Sequence, residues 1–330
     1  MKFKTRLIIN LCTISNIITA ILISQVSLPA FSQHPDSIIS DPAIPAQYSD
    51  IQKHDSLHTG RLIGVLSVQG AIYFGSLGGL YFAWYKNYPQ SSFHFFNDNN
   101  EWQQMDKCGH ATTAYYISRI GYESYRWCGV SENKAAWFGG LLGLAYMLNI
   151  EILDGFSKEW GFSPGDLTAN TLGCIIFVSQ QLGWHEQRFN LKYSFHPTKY
   201  AQYNPDDLGP NFVQWLIKDY NGHSYWISGN IYSFLPKSSK FPKWINIAAG
   251  YGAEGMTGAV ENPSEINGKP IPSFTRYRKF YLSLDVDLTR IRTKSKFLKG
   301  VFTVLSFIKI PAPALEYNTL GTFRFHPLYF

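Results

Sequence analysis

Three short patterns carry most of the side chains able to do chemistry. Asp106-Lys107-Cys108-Gly109-His110 sets a carboxylate and an imidazole four residues apart. Glu151-Ile152-Leu153-Asp154 sets two carboxylates three apart, and Asp166-Leu167-Thr168-Ala169-Asn170 sets a carboxylate and an amide four apart. On a helix each spacing brings the pair onto one face. If the three helices pack side by side, Asp106, His110, Glu151, Asp154, Asp166 and Asn170 converge at one end of the bundle. That set supports two chemistries. One is a carboxylate/imidazole site for a divalent metal, built from facing helices. The other is a metal-free acid–base site, in which crowded carboxylates hold a proton near neutral pH with His110 as partner. The residues leave the cofactor open between the two. Helix ends account for some of the acids without chemistry: Asp166 in a capping box, Asp106 in a first turn, Asp154 beside Gly155. His110 and Glu151 sit further inside charge-poor helices, where a buried charge needs a partner.

The elements that must position these groups are legible as charge-poor runs. Helical stretches are expected from about Asp106 to Ile120, stopping at Gly121, and from Ser131 or Glu132 to Asp154, stopping at Gly155. A third opens at Ser163-Pro164-Gly165-Asp166 and continues to Leu182-Gly183. A fourth run, Leu62 to Tyr85, has no charge and is studded with glycine. By length it reads either as a membrane helix or as a buried helix of the bundle. The segment 186–221 reads as a polar connector with one short helix, Phe212 to Lys218.

Beyond residue 222 strand signals take over. Phe280 to Thr289 alternates apolar and polar residues, and weaker strands are expected at Ser224–Leu235, Trp244–Tyr251 and Leu320–Phe330. On that alternation Asp285 and Asp287 share a face that reads as solvated. Phe297 to Phe307 reads as an amphipathic helix before Pro311. Gly250-Tyr251-Gly252-Ala253-Glu254-Gly255 lacks the strand–turn–helix context of a phosphate loop and reads as a mobile loop or a sheet-edge turn. The terminal Phe330 suits an outer-membrane barrel, but about four strands fall short of the roughly eight that a barrel needs. The fold class is therefore α+β: a charge-poor bundle of about four helices over 61–185, then a small antiparallel β region over 222–330. That sheet either packs on the helices or lies against a membrane.

Composition and the first residues place the chain. It has 330 residues, 45% hydrophobic and 16% aromatic, with only 16% charged. Disordered and disulfide-scaffold classes are excluded by the aromatic content and by 4 Cys. Lys2, Lys4 and Arg6 precede an apolar run, Leu7 to Val26, and Ala30-Phe31-Ser32 supplies small residues. That is the order of a secretory signal over 1–32, followed by a polar, Pro-containing linker over 33–60. Loss of residues 1–32 takes three basic side chains and lowers the net charge from +6 to +3, so a nucleic-acid partner gains no support. Cys12 reads as an ordinary apolar-region cysteine. Cys108, Cys128 and Cys174 read as buried thiols, a Cys108–Cys128 bridge being the one pairing left open.

The order and spacing of Asp106-Lys107-x-x-His110, Glu151-x-x-Asp154 and Ser163-x-x-Asp166-x-x-x-Asn170-x-x-Gly173 resemble the YfiM-like predicted periplasmic lipoproteins, a family of unknown function. More distantly they are similar to the VanZ-like membrane proteins. The resemblance covers about residues 100–185 and implies an exported protein of the periplasm or cell-envelope membrane. It implies no particular reaction. No lipid-attachment Cys follows the signal pattern in the way the family's description implies.

Two functional classes follow. On the first, the chain is a membrane-associated structural or docking component, with the polar constellation as a buried network that fixes helix register and a membrane or envelope protein as partner. On the second it is an envelope hydrolase or transferase acting on a lipid-linked or cell-wall substrate. Because helix capping already accounts for part of the motif, the docking reading stands first.

Overall fold

The computed structural model describes residues 56–330 apart from Trp84 and Tyr88. The signal-like segment 1–32 and most of the linker lie outside the described residues. The fold is α+β, with seven helices among the described residues rather than about four, and a six-stranded antiparallel sheet.

Helices α1 (Thr59–Ala83), α2 (Met105–Trp127), α3 (Glu132–Gly155) and α4 (Pro164–Trp184) form the first half. α2, α3 and α4 pack through glycines. A Cβ at Gly139 or Gly143 would meet the backbone of α2, and one at Gly173 would meet the Ala111 carbonyl. Gly121 serves the same approach, since a Cβ there would lie 3.0 Å from the Gly139 Cα. It therefore does not end α2, which runs six residues further, to Trp127. Where two backbones are in contact, glycine is a packing residue and the helix continues through it.

α1 is attached differently. Both α1 and α3 are long and apolar enough to cross a membrane, but α1 is mostly exposed, with Val65 and Leu80 as its buried side chains, whereas 44% of the apolar window of α3 is buried. α1 is tied to α3 by polar bonds: Tyr146 Oη donates to Ser76 Oγ at 3.0 Å and Asn149 Nδ2 to Tyr73 Oη at 2.6 Å.

The sheet comprises β1 (Phe189–Phe195), β2 (His223–Asn230), β3 (Ile245–Glu254), β6 (Tyr277–Val286), β7 (Ala312–Asn318) and β8 (Phe323–Tyr329), hydrogen-bonded in that order. A separate two-residue hairpin, β4 (Glu265–Ile266) with β5 (Lys269–Pro270), lies between β3 and β6. Short helices α5 (Pro205–Leu208) and α6 (Phe212–Lys218) follow β1, and α7 (Lys296–Leu305) precedes β7. The glycine-rich stretch expected as a loop or turn is the body of β3, where a Cβ on Gly250 would collide with the Trp226 ring.

The sheet rolls. Tyr193 of β1 bonds to Phe307 and Lys309 in the segment that leads into β7, and Lys192 of β1 reaches Asp285 of β6 at 2.7 Å. Tyr329 of β8 reaches Ser224 of β2 at 3.2 Å. These strands are not neighbours, so only curvature brings them together. The enclosed face joins an apolar cluster of Trp226, Tyr281 and Tyr329 to a polar network in which Ser228 donates to Asp285, Asn246 to Ser228, and Asn230 to Asn246. The face that carries Asp285 is thus buried rather than solvated, with the Lys192 and Asp285 side chains 1% and 0% exposed. α2 packs on the opposite face near Leu191 and Tyr225. A seam of Trp102, Met105, Tyr200, Leu208, Tyr220 and Met256 joins bundle to sheet.

Gly173→Ala tests the glycine packing. Helix propensity alone predicts a gain of roughly 1 kcal/mol, whereas overpacking against Ala111 predicts a net loss of about 1–3 kcal/mol. Urea denaturation should show the loss.

Candidate functional site

Asp106 is the second residue of α2, and the chain reaches it through a strained turn. Trp102, Gln103 and Gln104 have φ of 46°, 50° and 63°, the left-handed region that non-glycine residues avoid. Anchors from the sheet hold the turn: Tyr251 Oη donates to the Gln103 carbonyl at 2.6 Å and Arg278 Nη2 to Gln104 Oε1 at 2.6 Å. One turn into α2, Gly109 passes under the Tyr225 hydroxyl, where a Cβ would sit 3.0 Å away. The N-cap half of the expected capping box of α4 forms, with Ser163 Oγ accepting from Asp166 N at 3.0 Å, while the Ser163 backbone N–H serves Glu151 rather than Asp166.

All six residues anticipated from sequence meet: Asp106, His110, Glu151, Asp154 and Asp166 line a pocket of about 80 Å³, and Asn170 stands behind it, bonded to His110 and Glu151. The pocket has room for an ion or a few waters. His110 is at the centre. Its Nδ1 lies 3.1 Å from Asn170 Oδ1 and 3.4 Å from Glu151 Oε1. Its Nε2 faces the other way, 3.7 Å from Asp106 Oδ1 and 3.9 Å from Asp166 Oδ1. Asn170 Nδ2 donates to Glu151 Oε1 at 3.4 Å. Glu151 and Asn170 are 1% and 0% exposed.

Four further residues complete the site. Lys107 Nζ lies 2.6 Å from both Asp98 Oδ1 and Asp166 Oδ1 and 3.2 Å from Asp106 Oδ2. Tyr85 Oη donates to Asp154 Oδ1 at 2.7 Å, and Tyr220 Oη to Asp106 Oδ1 at 3.1 Å. Lys107 was in view within the Asp-Lys-x-x-His pattern, and Asp98 lies in the Asn/Asp-rich loop before α2. Nothing local marks Tyr85 or Tyr220, which arrive through tertiary packing.

Five carboxyl groups (Asp98, Asp106, Glu151, Asp154 and Asp166) therefore surround His110 and Lys107, with Glu101, Glu159, Asp207 and Lys218 further along the pocket wall, and the titrations register the excess of acid. Burial works against a charged His110, but the carboxylates of Asp166, Asp106 and Glu151 outweigh it and raise the imidazole to about 9. Burial pushes Glu151 up to about 7. Burial, together with the Asp106 carboxylate, pushes Asp166 up to about 9. Asp154 is raised by burial and by Glu151. Asp98 goes the other way: burial is outweighed by hydrogen bonds from Asp166, Lys107 and Ser163. Burial and Asp106 raise Cys108 to about 12, which rules it out as a thiolate nucleophile. Cys108, Cys128 and Cys174 are all free, so the Cys108–Cys128 bridge does not form.

Residues 94–180 match the family described as predicted periplasmic lipoprotein (DUF2279). The match bears out the resemblance to the predicted periplasmic lipoproteins read from the motifs and spans all six residues. It agrees with export to the periplasm or cell envelope. No curated protein and no solved structure matches the chain.

Two measurements follow. Gln103 pairs a left-handed backbone with a buried Oε1 that has no hydrogen-bond partner, so Gln103→Gly should raise stability by about 1 kcal/mol in urea denaturation. Second, His110, Glu151 and Asp166 are all raised above their unfolded values, so the metal-free native state holds more protons than the unfolded chain between about pH 4 and pH 9. Stability should accordingly be highest at mildly acid pH and fall as pH rises to about 9. Asp166→Asn, which imitates the protonated acid, should flatten that slope.

Proposed function

We propose that this is an exported cell-envelope protein whose working part is the α2–α3–α4 pocket, a divalent-cation site with acid–base capability. The observation that carries the reading is the orientation of His110. Asn170 and Glu151 hold its Nδ1, which leaves Nε2 directed at Asp106 and Asp166. An imidazole backed by a carboxylate on its far nitrogen is the usual support for a metal-ligating or proton-transferring histidine.

The geometry supports the cation. Ligand atoms of Asp106, His110 and Asp166 all lie within 4.8 Å of one another, compatible with metal–ligand arms of about 2.1 Å. Two carboxylates and an imidazole suit zinc or manganese better than the softer metals. A cation there would also compensate charge that must otherwise be held by protons on Glu151, Asp154 and Asp166, and binding would release those protons. Such an ion can polarise a phosphoryl or carbonyl oxygen and activate a water. The periplasmic family favours a lipid-linked or cell-wall substrate, and the reaction class is hydrolysis or group transfer.

A second reading is supported by the complete burial of Glu151 and Asn170: a non-catalytic envelope component in which the same groups lock helix register. Equilibrium dialysis of the full chain against Zn2+ and Mn2+ separates the two. On the cation reading wild type binds about one ion per chain and His110→Gln and Asp166→Asn bind none. Glu151→Gln should weaken binding about 10–100-fold. If no ion binds, and these substitutions only lower the melting temperature together, the register network is what remains.

A further inference from the structure

The rolled sheet inverts the usual order of a soluble protein. Its enclosed face carries Lys192, Asn230, Asn246, Asp285, Ser283 and Glu316, all buried, around a small apolar cluster of Trp226, Tyr281 and Tyr329. Its outward face carries an apolar row that crosses five strands in register: Ile227, Ala249, Leu282, Leu315 and Phe325. Leu282, Leu315 and Phe325 are 49%, 55% and 63% exposed. A second row, Phe280–Tyr317–Phe323, runs alongside, while Tyr251, which pairs with Phe280, is taken up by the turn before α2. In water a half-buried sheet puts its apolar residues inside. Polar residues inside and apolar residues outside is the pattern of a sheet whose solvent is hydrocarbon.

The rim of this face has a charge that selects among occupants. The β2–β3 connection and the segment from β6 into α7 lie at the same end of the strands, because Asn230 pairs with Asn246 and Ile245 with Val286. At that end Lys237, Lys240, Arg292, Lys294 and Lys299 are exposed. Exposed Phe234, Trp244, Phe297 and Leu298 lie among them. Basic residues interleaved with aromatics form the belt found at a membrane interface, with cations placed for anionic headgroups and rings for the boundary below. A second copy of the chain would set this cationic end against an identical surface or leave it unused, whereas an anionic lipid surface complements it. The apolar exposure also continues onto α7, rather than ending in the polar rim that surrounds a protein–protein patch.

We infer that the outward face of β3, β6, β7 and β8 is seated in lipid hydrocarbon, with the Lys237–Lys299 end at anionic headgroups. This surface is separate from the pocket, and the inference stands whether or not the pocket binds a cation.

The test uses the full chain in vesicles of phosphatidylcholine with a minor share of phosphatidylglycerol. An environment-sensitive fluorophore is placed at Phe325→Cys or, as reference, at Glu261→Cys in the exposed β3–β6 connection, with the unsubstituted chain as labelling background. Lipids with a quencher on the acyl chain should quench the probe at 325 about fivefold more than the probe at 261. The paired substitutions Leu282→Lys and Leu315→Lys should lower the vesicle-bound fraction about tenfold. Replacing Lys237, Lys240, Lys294 and Lys299 by Gln should weaken binding to the anionic vesicles and leave binding to pure phosphatidylcholine unchanged. Equal quenching at 325 and 261 overturns the inference. So does a probe at 325 that is shielded in lipid-free buffer only as chain concentration rises, which would mean the face pairs with a second copy. Both outcomes are read on a chain whose apolar rows are otherwise intact, so misfolding of the lysine variants does not decide the matter.

Discussion

An imidazole raised to about 9 and an ammonium at 2.6 Å from two carboxyl groups hold together the bundle end of this protein. Neither cation could be buried alone, because the desolvation of an unpaired charge costs several kcal/mol. The carboxyl groups that compensate them come from α2, α3, α4 and the loop before α2. Each must therefore arrive within reach of the others, and much of the local structure answers that demand. Gly173 and Gly143 bring the helix backbones close enough for short side chains to meet. The left-handed turn at Trp102–Gln104 starts α2 where Asp106 can face His110, and the sheet supplies the bonds that offset its strain. Tyr85 and Tyr220 close the outer edges of the carboxylate cluster.

The sequence revealed what is local. The ends of α3 and α4 and the residues Phe212–Lys218 of α6 were legible because caps, glycine stops and charge-poor runs act over one turn. The six site residues were legible because i, i+3 and i, i+4 spacings fix the face on which a side chain stands. Their convergence was conditional on packing, and packing supplied it. What was not legible came from other levels. Phe189-Asn190-Leu191-Lys192-Tyr193-Ser194-Phe195 alternates cleanly, but its lysine and asparagine suggested solvent, and β1 was read as connector. β7 was hidden by Pro311 and Pro313. Pro313 lies at the irregular start of the strand, between Ala312 and Ala314, where loss of an N–H disturbs the ladder least.

The error over Asp285 has the same origin. Alternation reports that a strand has two unlike faces but says nothing of which face meets water. Assigning the polar face to solvent assumes an aqueous surrounding. The Lys192–Asp285 pair and the Ser228–Asn246–Asn230 chain show a polar face enclosed and internally satisfied, so each group buried has the partner that burial requires.

Bundle and sheet obey one rule. Both bury polar groups, and both pay for it by saturating them: the bundle with Lys107 and His110 among carboxyl groups, the sheet with a lysine–aspartate pair inside a hydrogen-bonded lattice. The difference lies in completeness. Within the sheet the Lys192 ammonium meets both the Asp285 carboxylate and the Val286 carbonyl, so this pair is satisfied as it stands. In the bundle carboxyl groups outnumber cations, and the excess lines a pocket with space in it. Register alone could be fixed by a balanced network of the kind the sheet contains. An unbalanced one, placed against a cavity and backed by a histidine held from behind, is an arrangement that still has a charge left to satisfy.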